Sequence, residues 1–319
     1  MSRPRFFRWT LMGLLLSGLL LGPLLLRPYG LGLVTEIAIW SLLALSFNVV
    51  FGFAGMLSFG QAVFFGAATY GIALTITHWE WSFWPAVCAG VLLPILSAAT
   101  VGKLIVKLHG HSFVIGTVIL SLLLIYVILN GSEFTGGDDG LTFKLPPAYL
   151  GSLLLPIGDP YFSYYLSVCT TLLAFLFVWR VTSSPLGRLF LANRDDEIRL
   201  EFLGYHPERV RYLAFVVGGA VAGVGGALYA LTFRYANVEQ CHWITSGEAV
   251  VWTLLGGAGT IGGPVVGTAG LIVLKDVLGS RFERFYPIMI GIAIIVLVFR
   301  FPGGVMSMIH WRASNERQR

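Results

Sequence analysis

The residues with the longest chemical reach gather between Arg180 and Arg211, among segments almost free of charge. Six arginines (Arg180, Arg188, Arg194, Arg199, Arg209, Arg211) are interleaved there with five acids (Asp195, Asp196, Glu197, Glu201, Glu208). The charges nearly cancel, so attraction to anionic lipid explains them poorly. They suit contact with another protein better. A second set is polar but uncharged: Asn48, Ser58 and Gln61 stand around Gly52-Phe-Ala-Gly55, Gly60 and Gly66. The same Gly-x-Ala-Gly pattern returns as Gly256-Gly-Ala-Gly259, followed by Gly262, Gly263 and Gly267, a hint of an internal repeat. In apolar surroundings, backbone freed at such glycines must be buried in protein or line a cavity. Close helix packing and a solute path are the two readings. On the second, helix N-termini opened at Gly52–Gly60 and Gly256–Gly263 offer N–H groups to a carboxylate. The substrate-path candidates are then Asn48, Gly55, Ser58, Gln61, Gly256, Gly259 and Gly263.

Sequence support for catalysis is poor. Gly102-Lys103-Leu104 lacks the upstream glycine and the Ser or Thr of a phosphate-binding loop. There is no His-Glu-x-x-His, Gly-x-Ser-x-Gly or Cys-x-x-Cys. Cys88 and Cys169 lie in apolar runs and are expected to be buried, inert thiols. Cys241-His242 reads as a structural pair rather than a metal site. The expectation is a protein that is no enzyme and needs no cofactor, metal or nucleic acid. Ionisable residues inside apolar runs are few: Glu36 and Glu248 fall near run ends, and Lys275 adjoins Asp276. Ion-coupled carriers keep acids deep in several helices, so a self-sufficient secondary carrier or channel is disfavoured.

The elements that must position these residues are membrane helices. The 319 residues are 56% hydrophobic and 12% charged, with a mean hydropathy of +0.80, whereas soluble domains carry about 25% charged residues. About ten apolar runs are long enough to cross a bilayer, near 9–26, 31–51, 53–76, 83–102, 112–130, 160–180, 210–232, 247–260, 262–279 and 285–301. They lack the alternation of barrel strands, so the fold class is all-α, a polytopic helical membrane protein in one domain over 1–319. The first run is expected to be a retained anchor. Arg3, Arg5 and Arg8, Lys103 and Lys107, and Arg312, Arg317 and Arg319 flank spans on one side, while loop 131–159 carries Glu133, Asp138, Asp139 and Asp159. The positive-inside rule puts both termini and loop 181–209 in the cytoplasm and 131–159 outside.

Within the cytoplasmic loop, 193–204 is predicted to be a short helix capped by Asn193 and ended by Gly204, with His206-Pro207 blocking continuation. Ile198 and Phe202 share one of its faces. In 210–232, Gly219, Gly223 and Ala227 form one ridge of small residues and Gly218, Ala222 and Gly226 another, which marks a core helix approached on two sides.

Four motifs, in order, resemble the LivM-type permease family of branched-chain amino acid ABC importers. They are Phe47-Asn48 through Gly66; Thr135-Gly136-Gly137-Asp138-Asp139-Gly140-Leu141; Gly187-Arg188 with Arg194 to Glu197 and Phe202 to Tyr205, leading to Ala222 to Tyr229; and His242 to Glu248 with Thr253 to Gly267. The resemblance implies a translocation subunit of a bacterial inner-membrane importer for leucine, isoleucine and valine. Its partners would be a second homologous permease subunit, two cytoplasmic ATPase subunits, a periplasmic solute-binding protein and the surrounding lipid. It also assigns Asp196, Glu197, Phe202, Leu203 and Gly204 to the segment that receives ATPase motion. The chain departs from the commoner family pattern at Arg199, Leu200 and Phe202, where small residues are usual. Urea or a short amide is the alternative cargo for the same kind of machine.

Overall fold

The computed structural model describes residues 22–25, 27–282, 286–300 and 303–306. The expected first span, 9–26, lies almost wholly outside them. Helix α1 (Pro28–Phe47) widens into a π turn over Asn48–Phe53, and an irregular stretch leads to α2 (Gln61–Trp79). Then come α3 (Phe83–Ile105), α4 (Gly110–Asn130) and α5 (Pro160–Thr182). Two short helices, α6 (Pro185–Asp195) and α7 (Glu197–Phe202), precede the longest, α8 (Pro207–Phe233). The chain closes with α9 (Trp243–Gly256), α10 (Gly263–Arg281) and α11 (Tyr286–Arg300). Two small ribbons depart from all-α: β1 (Leu141–Thr142) pairs with β4 (Tyr235–Ala236), and β2 (Ala148–Leu150) with β3 (Leu153–Leu155), both antiparallel.

Six helices among the described residues are long and apolar enough to cross a membrane, fewer than the ten spans expected. They are α1 with its π turn, α3, α4, α5, α8 and α10. The difference has physical causes. The run near 53–76 breaks at Gly55, so α2 starts late and carries Gln61, Thr69, Thr75 and His78. At 14 residues, α9 is too short, and the run near 285–301 is described only over Tyr286–Arg300.

The core lies around α1 and α8, whose apolar windows are 72% and 67% buried against 22% for α4 and α5. Both predicted ridges on α8 are used. A Cβ at Gly223 would stand 2.3 Å from Pro94 Cγ of α3, and one at Gly226 would stand 2.0 Å from the Phe65 carbonyl oxygen of α2. Small residues let helices approach this closely where the hydrophobic effect gives no drive for helix to meet helix. Gly270 on α10 is different: no heavy atom lies within 4 Å of its Cβ position. Helical glycine costs about 0.5–1 kcal/mol relative to alanine, so Gly270→Ala is expected to leave the melting temperature of the purified protein unchanged or raised. A fall would reveal a neighbour that the lone chain lacks.

Cys88 and Cys169 are exposed, contrary to expectation, because α3 and α5 form the rim. An apolar residue on a rim helix is solvated by lipid and need not enter the protein core. Cys241 is buried, its sulfur against Gly66, and His242 Nδ1 accepts from Ile244 N at the start of α9. That pair holds structure, as its sequence suggested.

Candidate coupling and permeation site

The two Gly-x-Ala-Gly segments, one in each half of the sequence, meet. Asn48 sits at the start of the π turn, fully buried. Its Oδ1 accepts from Gly259 N at 2.8 Å and its Nδ2 donates to the Thr260 carbonyl at 2.8 Å. One side-chain amide thus satisfies a donor and an acceptor in a break between helices, where both would otherwise be costly orphans. Gly55 and Gly259, matching positions of the repeat, both take left-handed backbone, with φ of 78° and 76°. Gly256 is required for a different reason: its Cβ would lie 1.7 Å from the Gly263 carbonyl oxygen across the tight turn into α10.

The remaining path candidates are also packed. Ser58 Oγ accepts from Gly60 N at 3.2 Å, and Gln61 Oε1 receives Ser46 Oγ at 3.4 Å. Both Ser58 and Gln61 are fully buried. Around the start of α2, Phe59 N donates to Thr117 Oγ1 and Ala62 N to Ser246 Oγ. Gly263 N at α10 donates to Thr260 Oγ1. Gly60 N and Gly263 N, which looked available to a carboxylate, are thus taken by side chains of their own turns, and Phe59 N and Ala62 N by side chains from other elements. The latter partners are invisible to local sequence reading.

Helix α6 seats on this knot. Ser184-Pro185 starts it, with proline supplying a preset φ in the first turn. Gly187, Phe190 and Asn193 recur every three residues on its buried face. Asn193 Nδ2 donates to the Ala54 carbonyl at 3.0 Å and Arg194 Nη1 to the Gly52 carbonyl at 2.7 Å. The Arg194 Nη1 atom also lies 3.0 Å from the Cβ position of Gly259. One arginine thus bonds the first break and lies beside the second.

The predicted 193–204 helix is corrected by these contacts. Asn193 is not its cap, because its amide is committed to Ala54 inside α6. The backbone instead extends at Asp196, whose Oδ1 accepts from Arg199 N at 3.0 Å and caps α7. Gly204 ends the segment in left-handed backbone, φ 84°, as expected. Helix α7 buries Leu200 and exposes Ile198, Phe202 and Leu203, with Phe202 87% exposed. Glu197 turns the other way. Its Oε1 lies 3.4 Å from Nη2 of the buried Arg211 and 3.5 Å from His109 Nε2. Removing a partner from a buried arginine is costly, so Glu197 anchors α7 to α8 and to the α3–α4 turn. Sequence reading also missed that Glu248 and Lys275 pair, at 2.7 Å.

A bundle of apolar helices long enough to cross a membrane, with two interlocked breaks, is a polytopic helical membrane protein. The chain belongs to the family described as "Branched-chain amino acid transport system / permease component", whose model matches residues 30–298. It is similar to the high-affinity branched-chain amino acid transport system permease protein LivM of Escherichia coli K12, at 24% identity over 86% of this chain and 69% of that protein. BraD of Pseudomonas aeruginosa PAO1, a permease of the same description, is 23% identical over 86% of this chain and 93% of its own length. LivH of Salmonella typhimurium LT2 is 23% identical over 86% and 92%. No solved structure matches.

Proposed function

We propose that this chain, in a bacterial inner membrane, builds half of the translocation path of an ABC importer for leucine, isoleucine and valine. A second, related permease supplies the other half. Two ATPase subunits dock at the end of the bundle that holds α6 and α7, which faces the cytoplasm together with both termini. A periplasmic binding protein delivers solute at the end formed by residues 131–159. The whole of 1–319 acts as one permease domain and hydrolyses no ATP itself. Asp196, Phe202, Leu203 and Gly204 form and present the docking surface, and Glu197 braces it from behind. Asn48, Gly55, Ser58, Gln61, Gly256, Gly259 and Gly263 shape the floor of the path by holding its two broken helices together.

The observation that carries this reading is the exposure of Phe202 on α7, which directly follows α6 and the contacts of Asn193 and Arg194, after a break at Asp196. An apolar ring held in water beside a wired segment suits an aromatic anchor in a partner's groove. Its direct test is reconstitution: ATP-dependent uptake of labelled leucine requires both permeases, the ATPases and the binding protein, and this chain alone in liposomes takes up none. Uptake by the lone chain would establish a self-sufficient carrier instead. Phe202→Ser is expected to weaken copurification of the ATPases by at least about tenfold, the loss of one anchor, while membrane insertion and melting temperature stay unchanged. Undiminished copurification would remove Phe202 from the interface.

A further inference from the structure

Four ionisable residues that the sequence scatters, Glu36, Glu248, Lys275 and Asp276, line a single groove of 610 Å³ between α1, α9 and α10. The spacing is regular. Glu36 and Trp40 stand four apart on α1, as do Glu248 and Trp252 on α9, so each carboxylate sits one turn from an indole on the same face. The two indoles meet edge to face, 5.8 Å apart, and both line the groove. The result is an aromatic floor with charged walls.

The charges are unevenly matched. Lys275 Nζ contacts Glu248 Oε1 at 2.7 Å, and Asp276 accepts from the Tyr29 hydroxyl. Glu36 is in no ion pair among the described residues. The Glu248 and Lys275 side chains are 43% and 38% exposed. Glu36 lies on α1 and Lys275 and Asp276 on α10, both candidate membrane spans, and Glu248 lies on the shorter α9. Charged side chains on membrane-spanning helices do not persist against lipid; they line water or protein.

We propose that this groove is the polar stretch of the translocation path, facing the second membrane subunit, and that it receives a small zwitterion. Glu36 takes the ligand's ammonium group. Lys275 takes the carboxylate, since an ammonium has three N–H donors and Glu248 uses one. The ligand's apolar side chain lies over Trp40 and Trp252. Three carboxylates repel a plain anion, while Lys275 favours a zwitterion over a bare cation. The assignment rests on the importer reading above.

Two measurements on the assembled importer test it. Gly279 lines the same groove with no heavy atom within 4 Å of its Cβ position. In a background with the exposed Cys88 and Cys169 replaced by serine, Gly279→Cys is expected to react with a charged, membrane-impermeant thiol reagent, and leucine to slow that reaction several-fold. Leu123→Cys, on the exposed rim of α4, stays unreactive. A Gly279→Cys variant as silent as the rim control overturns the proposal, and so does labelling indifferent to leucine in a complex that imports it. Glu36→Gln should cut leucine uptake roughly tenfold or more, the loss of a charge-assisted contact, with ATP hydrolysis intact. Uptake at the wild-type rate in that variant overturns the groove alone, whereas a wild-type complex that imports no leucine refutes the importer reading.

Discussion

Gly52→Ala is expected to abolish the folded permease. The new Cβ would lie 2.0 Å from Asn48 Oδ1 and 2.4 Å from Gly259 N. The first atom belongs to a side chain held at both ends of its amide, and the second is backbone in left-handed geometry. Neither can yield without breaking the knot between the halves. Overpacking of one group in a fitted core costs about 1–3 kcal/mol, and here two contacts fail together with the hydrogen bonds they adjoin. Against a total stability of roughly 5–15 kcal/mol, that is enough to deplete the folded state. Asn48→Ala does not rescue it, because it removes the nearer clash and both bonds to Gly259 and Thr260 while leaving the backbone collision. Gly32→Ala is the matched control, since nothing lies within 4 Å of its Cβ position. Yield and melting temperature from detergent-solubilised membranes decide the matter. Wild-type values for Gly52→Ala would mean that the two segments are not locked in the working protein.

How much of this was legible in the sequence depends on how local each cause is. Gly204 could be read as a helix end because left-handed backbone is a property of one residue and its neighbours. The ridges on α8 were legible because spacing alone decides which side two helices share. The kinship of the two Gly-x-Ala-Gly segments was visible, but their direct contact was not, since Asn48 and Gly259 are joined only by tertiary structure. Asn193 misled for a related reason. Its residue type favours a cap, yet the Ala54 carbonyl, far away in sequence, claims its amide. Among the described residues, span counting failed where apolar composition and helix length part company, at α2 and α9. The charged groove escaped because Glu36, Glu248 and Lys275 each look like a stray residue near a run end. Only the packing of three helices makes them a set.

Arg194→Gln is expected to uncouple the machine. In the proposed importer, ATPase closure pushes on α7, which follows α6 directly with only the extended Asp196 between them. The push must then enter the membrane through the contacts of α6, chiefly Asn193 on Ala54 and Arg194 on Gly52. Arg194 is the stronger of the two because its donor is charged, and such bonds contribute about 1.5–3 kcal/mol. It also packs against the backbone of Gly55 and reaches Gly259, so it bears on both broken helices at once. If this contact is made in only one of the two transport states, its loss changes their balance by roughly ten- to a hundredfold. Leucine uptake should fall by that factor, while ATP hydrolysis continues and no longer responds to the binding protein. Arg194→Lys restores part of the uptake, because an ammonium supplies charge to the Gly52 carbonyl without the planar guanidinium that packs beside Gly259. Because Arg194 is partly in water at the surface of α6, the loss of folding stability should not exceed about the 1.5–3 kcal/mol of the one bond removed, and both variants should still fold. Coupled uptake at the wild-type rate in Arg194→Gln would show that the stroke enters the bundle elsewhere, with the Glu197–Arg211 contact next in line.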